Sequence, residues 1–216
     1  MPLDLDELVR PAHTALVTQE CQRGVLGDGE IFPALADAAR ARGMVEKVAA
    51  AVAAARAAGV AVVHCVVARR PDNRGSSRNA RLFIAAERSP TRLVEGSEQA
   101  QLLPELGPEP SDLVVSRLHG LSPMHGTELD AVLRNLGIST VVGVGVSLNV
   151  AIVNLAFDAV NLGYQVVIPR DGVAGTPPEY GDAVLEHTLP MVATVTDVDS
   201  LVAAWRRTGA ATAGSG

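Results

Sequence analysis

Glu20 stands directly after an apolar run at residues 14–19 (TALVTQ). A carboxylate at such a junction, partly desolvated by its neighbours, suits general acid or base work. The plainer alternative is a carboxylate that caps the following turn. Arg117 follows another such stretch, residues 112–116 (DLVVS). Its guanidinium can hold a substrate carboxylate or pair with Glu20, but it cannot donate a proton near neutral pH; it is equally readable as a surface arginine. His119 and His125 share that loop and are minor candidates for acid–base work, though a lone loop histidine is more often polar surface. A third place is defined by what it lacks. Residues 140–144 lead into a glycine-bearing turn and a helix from about Asn149, a layout that presents a nucleophile beside free backbone N–H groups, and Ala151 holds that position. A methyl group forms no covalent intermediate.

The two cysteines give no disulfide framework. Cys65 lies inside VVHCVV and reads as core packing. Cys21 follows Glu20 and would face the opposite side of a continuing strand; as a nucleophile it needs a base or cation beside it. His13, His64, His119, His125 and His187 show no ligand spacing, so no metal is expected. Gly143 and Gly145 lack the rest of a dinucleotide fingerprint, and the glycines near Gly75 lack the lysine of a phosphate loop, so no cofactor is implied. Arg69, Arg70, Arg74, Arg78 and Arg81 crowd one turn-rich segment. Guanidiniums gathered at a cleft attract anionic small molecules, and a solvated loop or subunit contact is the plainer alternative.

The elements that must position these residues alternate between strand and helix. Strands are expected at 14–19, 60–67, 112–116, 140–144, 164–168 and 193–196. Helices are expected at 33–58 with a bend near Gly43, and at 126–136, 149–162, 179–189 and 200–207. Gly59 closes the first helix. This order predicts an α/β fold, a three-layer α/β/α sandwich around a mainly parallel sheet with right-handed crossovers. Ligands bind past the carboxyl ends of such strands, which is where Glu20, Arg69, Arg117, His119 and Ala151 fall. Residues 69–110 read as irregular.

The chain of 216 residues suits one domain over 1–208, with 209–216 a small, polar, fraying tail. Hydrophobic residues reach 48% but aromatics only 3%, so the core must rest on many small aliphatic contacts. A net charge of −6 argues against nucleic acid as a partner. No apolar run is long enough to suggest a membrane span, and the start MPLDLDELVR is not a signal peptide, so a cytoplasmic location is expected.

Four stretches carry a resemblance: TALVTQECQRGVLG, GVAVVHCVVARRPD, the run from DLVVSRLHG to IPRDGVAG containing GTELDAVLRNLGI and NLGYQVVIPRD, and the closing helix and strand. Together they resemble the isochorismatase-like cysteine hydrolase superfamily from about residue 14 to 201. The resemblance implies an Asp after the first strand, a Lys after the third and a Cys at the helix start. Glu20, Arg117 (or Leu118, counting back from Gly126) and Ala151 stand at those places. The isochorismatases proper carry a small residue in place of the Cys and hydrolyse an enol ether by acid catalysis. Further implications are a cis bond between Val146 and Ser147, N–H groups of Val150 and Ala151 lining an anion-binding hollow, and a homodimer or larger homo-oligomer.

The leading expectation is therefore a Cys-less hydrolase of a small, carboxylated, anionic metabolite. Glu20 would be general acid or base, with Arg117 and the position of Ala151 in the catalytic set and Val150, Ser147, His119 and Arg69 binding substrate. Two alternatives stand beside it: a catalytically silent member that binds an anion or a partner protein, and a hydrolase using Cys21.

Overall fold

The computed structural model describes residues 4–213. Seven strands form one sheet: β1 (Thr14–Gln19), β2 (Ala61–Val67), β3 (Leu113–Arg117), β4 (Thr140–Val146), β5 (Gln165–Pro169), β6 (Val173–Ala174) and β7 (Thr194–Thr196). Their order is β3-β2-β1-β4-β5-β7, with β6 beside the end of β4, and every pairing is parallel. Central β1 and β4 are buried along their whole length, which is why they read as continuous apolar runs rather than as alternating ones.

Helices α1 (Leu5–Leu8), α2 (Arg23–Leu26), α3 (Pro33–Ala41), α4 (Met44–Ala58), α5 (Arg81–Arg88), α6 (Leu129–Asn135), α7 (Val153–Asn161), α8 (Pro178–Ala183) and α9 (Val198–Ala213) complete the fold. One face of the sheet packs Val48, Val52 and Ala55 of α4 with Leu201 and Trp205 of α9. The other packs Leu129 and Leu133 of α6 with Leu155 and Ala159 of α7. The indole of Trp205, fully buried, donates to the Val9 carbonyl at 3.0 Å and so ties the last helix to the first. No helix among the described residues is long and apolar enough to cross a membrane.

The chain runs outward from β1 through β2 to β3, then returns to place β4 against the other side of β1. That reversal opens a crevice beyond the paired ends Gln19 and Gly145, the usual ligand position in such sheets. Gly145 makes the close approach possible: its φ is 108°, and a Cβ there would lie 2.2 Å from the Gln19 carbonyl oxygen.

Several boundaries differ from the sequence expectation. The helix placed over 33–58 is two helices, because Gly43 adopts φ 60° and redirects the chain. The helix placed over 126–136 starts at Leu129, whose N–H is capped by the Thr127 hydroxyl at 3.1 Å. The segment 69–110 is not wholly irregular, since it contains α5, an amphipathic turn of chain that buries Ala86 outright. Helix α9 continues to Ala213, into the stretch expected to be tail; the last part of that stretch, 214–216, lies outside the described residues.

Candidate active site

The first residue past β1 is held in an unusual conformation. Glu20 has φ 53°, a left-handed backbone that costs a non-glycine residue about 1 kcal/mol or more. Its N–H donates to the Cys65 carbonyl at 2.9 Å, and its own carbonyl accepts from Gln22 N–H at 2.8 Å. These two bonds fix the turn that aims the carboxylate across the crevice. Oε1 accepts from the buried Gln19 amide at 3.1 Å and from Nη2 of Arg117. Oε2 accepts from no group among the described residues.

Arg117 is the last residue of β3, paired in register with Val67 of β2. Its side chain is 3% exposed against 22% for Glu20. Besides Glu20, Nη2 donates to the Leu121 carbonyl at 3.3 Å, while Nε and Nη1 are buried without a partner among the described residues. Of the two residues that sequence counting left open, Arg117 meets the carboxylate and Leu118 is exposed.

Two cavities meet at Glu20. An inner one of about 60 Å³ is lined by Arg69, Ser77, Arg117 and His119 among apolar walls. An outer one of about 380 Å³ is lined by Ser147, Asn149, Val150, Ala151 and Thr176, with Leu35 and Ala34 opposite. Glu20, Phe32, Leu82 and Leu121 line both and form the partition. All seven residues singled out for the site therefore line one cavity or the other. His125 lines neither of these two.

The helix start at Ala151 departs from expectation. Residues Leu148–Ile152 form a wide π-helical turn before α7, and the N–H groups of Val150 and Ala151 both donate to the Ser147 carbonyl, at 3.2 and 2.9 Å. The expected anion hollow is thus closed: its donors are turned back along the chain instead of into the cavity. The Val146–Ser147 peptide is cis, as the resemblance implied, and Thr176–Pro177 is cis as well.

Neither cysteine is placed to react. Cys21 lies in the apolar layer under α4, with its Sγ 3.7 Å from the Gln19 carbonyl, and burial together with the Glu20 charge pushes its thiol up to about 12. Burial does the same to Cys65, also to about 12. A thiolate at either site is strongly disfavoured near neutrality.

The arginine-rich loop divides into two classes. Arg70 pairs with Asp72, Arg78 with Glu87, and Arg92 donates to the Pro71 carbonyl, all on the exposed side. Arg69 alone of the five clustered arginines lines the inner cavity. Among the described residues no group of three or more His, Cys, Asp or Glu is placed to hold a metal ion.

Sequence reasoning missed Gln19, whose amide orients Glu20, and Leu82 of α5, which stands on the partition. Gln19 had a signal, being a polar residue at the end of an apolar strand and adjoining a carboxylate. Leu82 had none, because its helix lies inside a turn-rich segment.

Comparison with known proteins adds kinship to this geometry. The isochorismatase domain family matches residues 14–200. The ureidoacrylate amidohydrolase RutB of Enterobacter sp. (strain 638) is 28% identical over 203 residues, covering 87% of this chain and 88% of that protein. A cysteine hydrolase from Pseudomonas syringae pv. phaseolicola 1448A superposes with a TM-score of 0.80 at 21% identity, over 96% of each chain. N-carbamoylsarcosine amidase from Thermoplasma acidophilum superposes with a TM-score of 0.67 at 24% identity, covering 87% of this chain and 97% of that one. At these identities the superpositions speak to the fold.

Proposed function

The chain belongs to the isochorismatase domain family, and from that premise we propose that it is a hydrolase of a small carboxylated metabolite that works without a covalent intermediate, with Glu20 as its proton-transfer group. The observation that carries this reading is the free Oε2 of Glu20 at the meeting of two cavities, while Oε1 is anchored by Gln19 and Arg117. An anchored carboxylate with one free oxygen is a preorganised base.

In the proposed cycle Glu20, paired with Arg117, acts first as the base. Oε2 removes a proton from a water molecule as the water oxygen bonds to the electrophilic carbon of the substrate. The same oxygen then returns that proton to the leaving group as the old bond breaks. Position 151 takes no part in bond making, because a methyl group is no nucleophile; what it contributes is room in the outer cavity. Arg117 holds Glu20 in place and balances its charge. The amidohydrolase names of the relatives support an acyl bond as the target, and the absence of a thiol at 151 supports water as the attacking group.

One observation favours a second reading, that of a silent member which binds a small anion. The N–H groups of Val150 and Ala151, which would stabilise a developing oxyanion, are spent on Ser147. A hydrolase screen over esters, amides and enol ethers of small carboxylic acids separates the two. Turnover that Glu20→Gln removes supports the first reading; binding without turnover supports the second.

A further inference from the structure

The cavities on either side of Glu20 differ in kind. In the inner one, Arg69 makes no ion pair or hydrogen bond through its guanidinium among the described residues, although Arg70 and Arg78 of the same loop are both paired. Arg69 is half-buried, and burial pulls its pKa below the ordinary arginine value. Arg117 adds two buried donors without acceptors, Nε and Nη1. The carboxylate lining this cavity is Glu20, already joined to Arg117; Glu87 attracts Arg69 from outside the lining but is itself paired with Arg78, so Arg69 has no carboxylate bonded to it. A partly desolvated cation without a directly bonded anion is costly, and a compact anion would reduce that cost.

Size narrows the anion. About 60 Å³ holds a few groups the size of a water molecule, enough for a carboxylate and a carbon or two. The outer cavity is several times larger, and its walls are mostly apolar, Phe32, Leu35, Leu82, Val150 and Ala151 among them. A ligand that fills both must cross the partition at Glu20.

We propose that the substrate is two-ended: a compact carboxylate seated on Arg69 in the inner cavity, joined through one hydrolysable bond at Glu20 to a larger, mostly apolar group in the Ala151 cavity. This rests on the hydrolase reading of Glu20. It assigns separate roles to the two guanidiniums, Arg69 reading the substrate and Arg117 positioning the carboxylate that acts on it.

The test uses sodium acetate, with sodium chloride at equal ionic strength as control, read by thermal melting and calorimetry on the full chain. Acetate should raise the melting temperature of the wild type and of E20Q, fail to do so for R69M, and act partially on R69K. N-benzoylglycine should bind the wild type and E20Q at least about 10-fold more tightly than its uncharged amide, and that preference should vanish in R69M. No acetate effect, an equal effect in R69M, or equal binding of the uncharged amide would overturn the proposal. Retention by E20Q keeps the two claims apart: acetate binding with no turnover of any ester, amide or enol ether by the wild type would sink the hydrolase reading and leave the anion site standing.

Discussion

Arg117 and Glu20 reach each other from the ends of two strands that are not neighbours in the sheet, and the contact falls on one carboxylate oxygen only. Nη2 of Arg117 and the amide of Gln19 share Oε1, which leaves Oε2 facing the cavities. The pair spans β2, since Arg117 lies in register with Val67 while the Glu20 N–H is held by Cys65. An ion pair built this way fixes the orientation of the carboxylate as well as balancing its charge.

Removing the cation should therefore cost both stability and rate. In Arg117→Met the carboxylate keeps its strained turn but loses its partner. Denaturant unfolding should report a loss of about 2 kcal/mol, below the range for fully buried pairs because Glu20 is partly exposed. Turnover should fall by about 100-fold or more, and Arg117→Lys should recover part of it. An Arg117→Met protein with wild-type kcat would show that the pair is only structural.

Both native thiols should resist alkylation. Cys21 and Cys65 are buried, with thiols pushed up to about 12. Iodoacetamide at neutral pH should leave the folded protein unmodified by mass and fully active, whereas Ala151→Cys should add one modification, because position 151 lines the outer cavity. Modification of Cys21 with loss of activity would revive a thiol mechanism.

His64 should make the fold sensitive to mild acid. Its ring is fully buried between the Thr18 hydroxyl, 2.8 Å from Nδ1, and Asp112 Oδ2, 3.3 Å from Nε2; Arg56 donates to both oxygens of that carboxylate, sharing Oδ2 with the ring. Burial lowers its pKa from the ordinary 6.5, and Asp112 opposes the shift only in part. The unfolded chain therefore binds a proton before the folded one does. The stability that His64 contributes is present above pH 6.5 and is lost as pH falls through its lower folded value. Asp112, whose own pKa is lowered from 3.8, adds a separate loss at more acid pH. Unfolding free energies should decline as pH falls below 6.5, and His64→Gln should flatten that decline. An unchanged slope in the variant would assign the effect elsewhere.

Gly145→Ala should be severe. A methyl group there meets the Gln19 carbonyl at 2.2 Å with φ at 108°, so β1 and β4 must separate where they frame the crevice. A loss of about 3 kcal/mol or more is expected in melting or denaturant experiments. Tolerance of alanine would mean that the strand ends are less closely joined.

Much of this architecture was legible because buried parallel strands leave a plain record. The run 14–19 is β1 to the residue, and the other long strands shift by a residue or two at their ends. The position of Glu20 could be read from that record; its left-handed backbone could not, since nothing in glutamate announces a positive φ. Arg117 and Leu118 were inseparable by counting because their loop has no fixed length; that Arg117 is the one in contact with Glu20 is a matter of side-chain placement that spacing does not carry. The closed hollow at Ala151 was hidden for a similar reason: whether an N–H points out or back depends on one turn widening, which is a matter of packing rather than of residue type.

Glu20→Gln is the most direct test of the central claim. The substitution keeps the size of the side chain and removes its capacity to accept a proton at Oε2. On any substrate found by the hydrolase screen, the variant should lose about 100- to 10,000-fold in kcat with little change in KM. A Glu20→Gln enzyme that turns over at the wild-type rate would contradict the account.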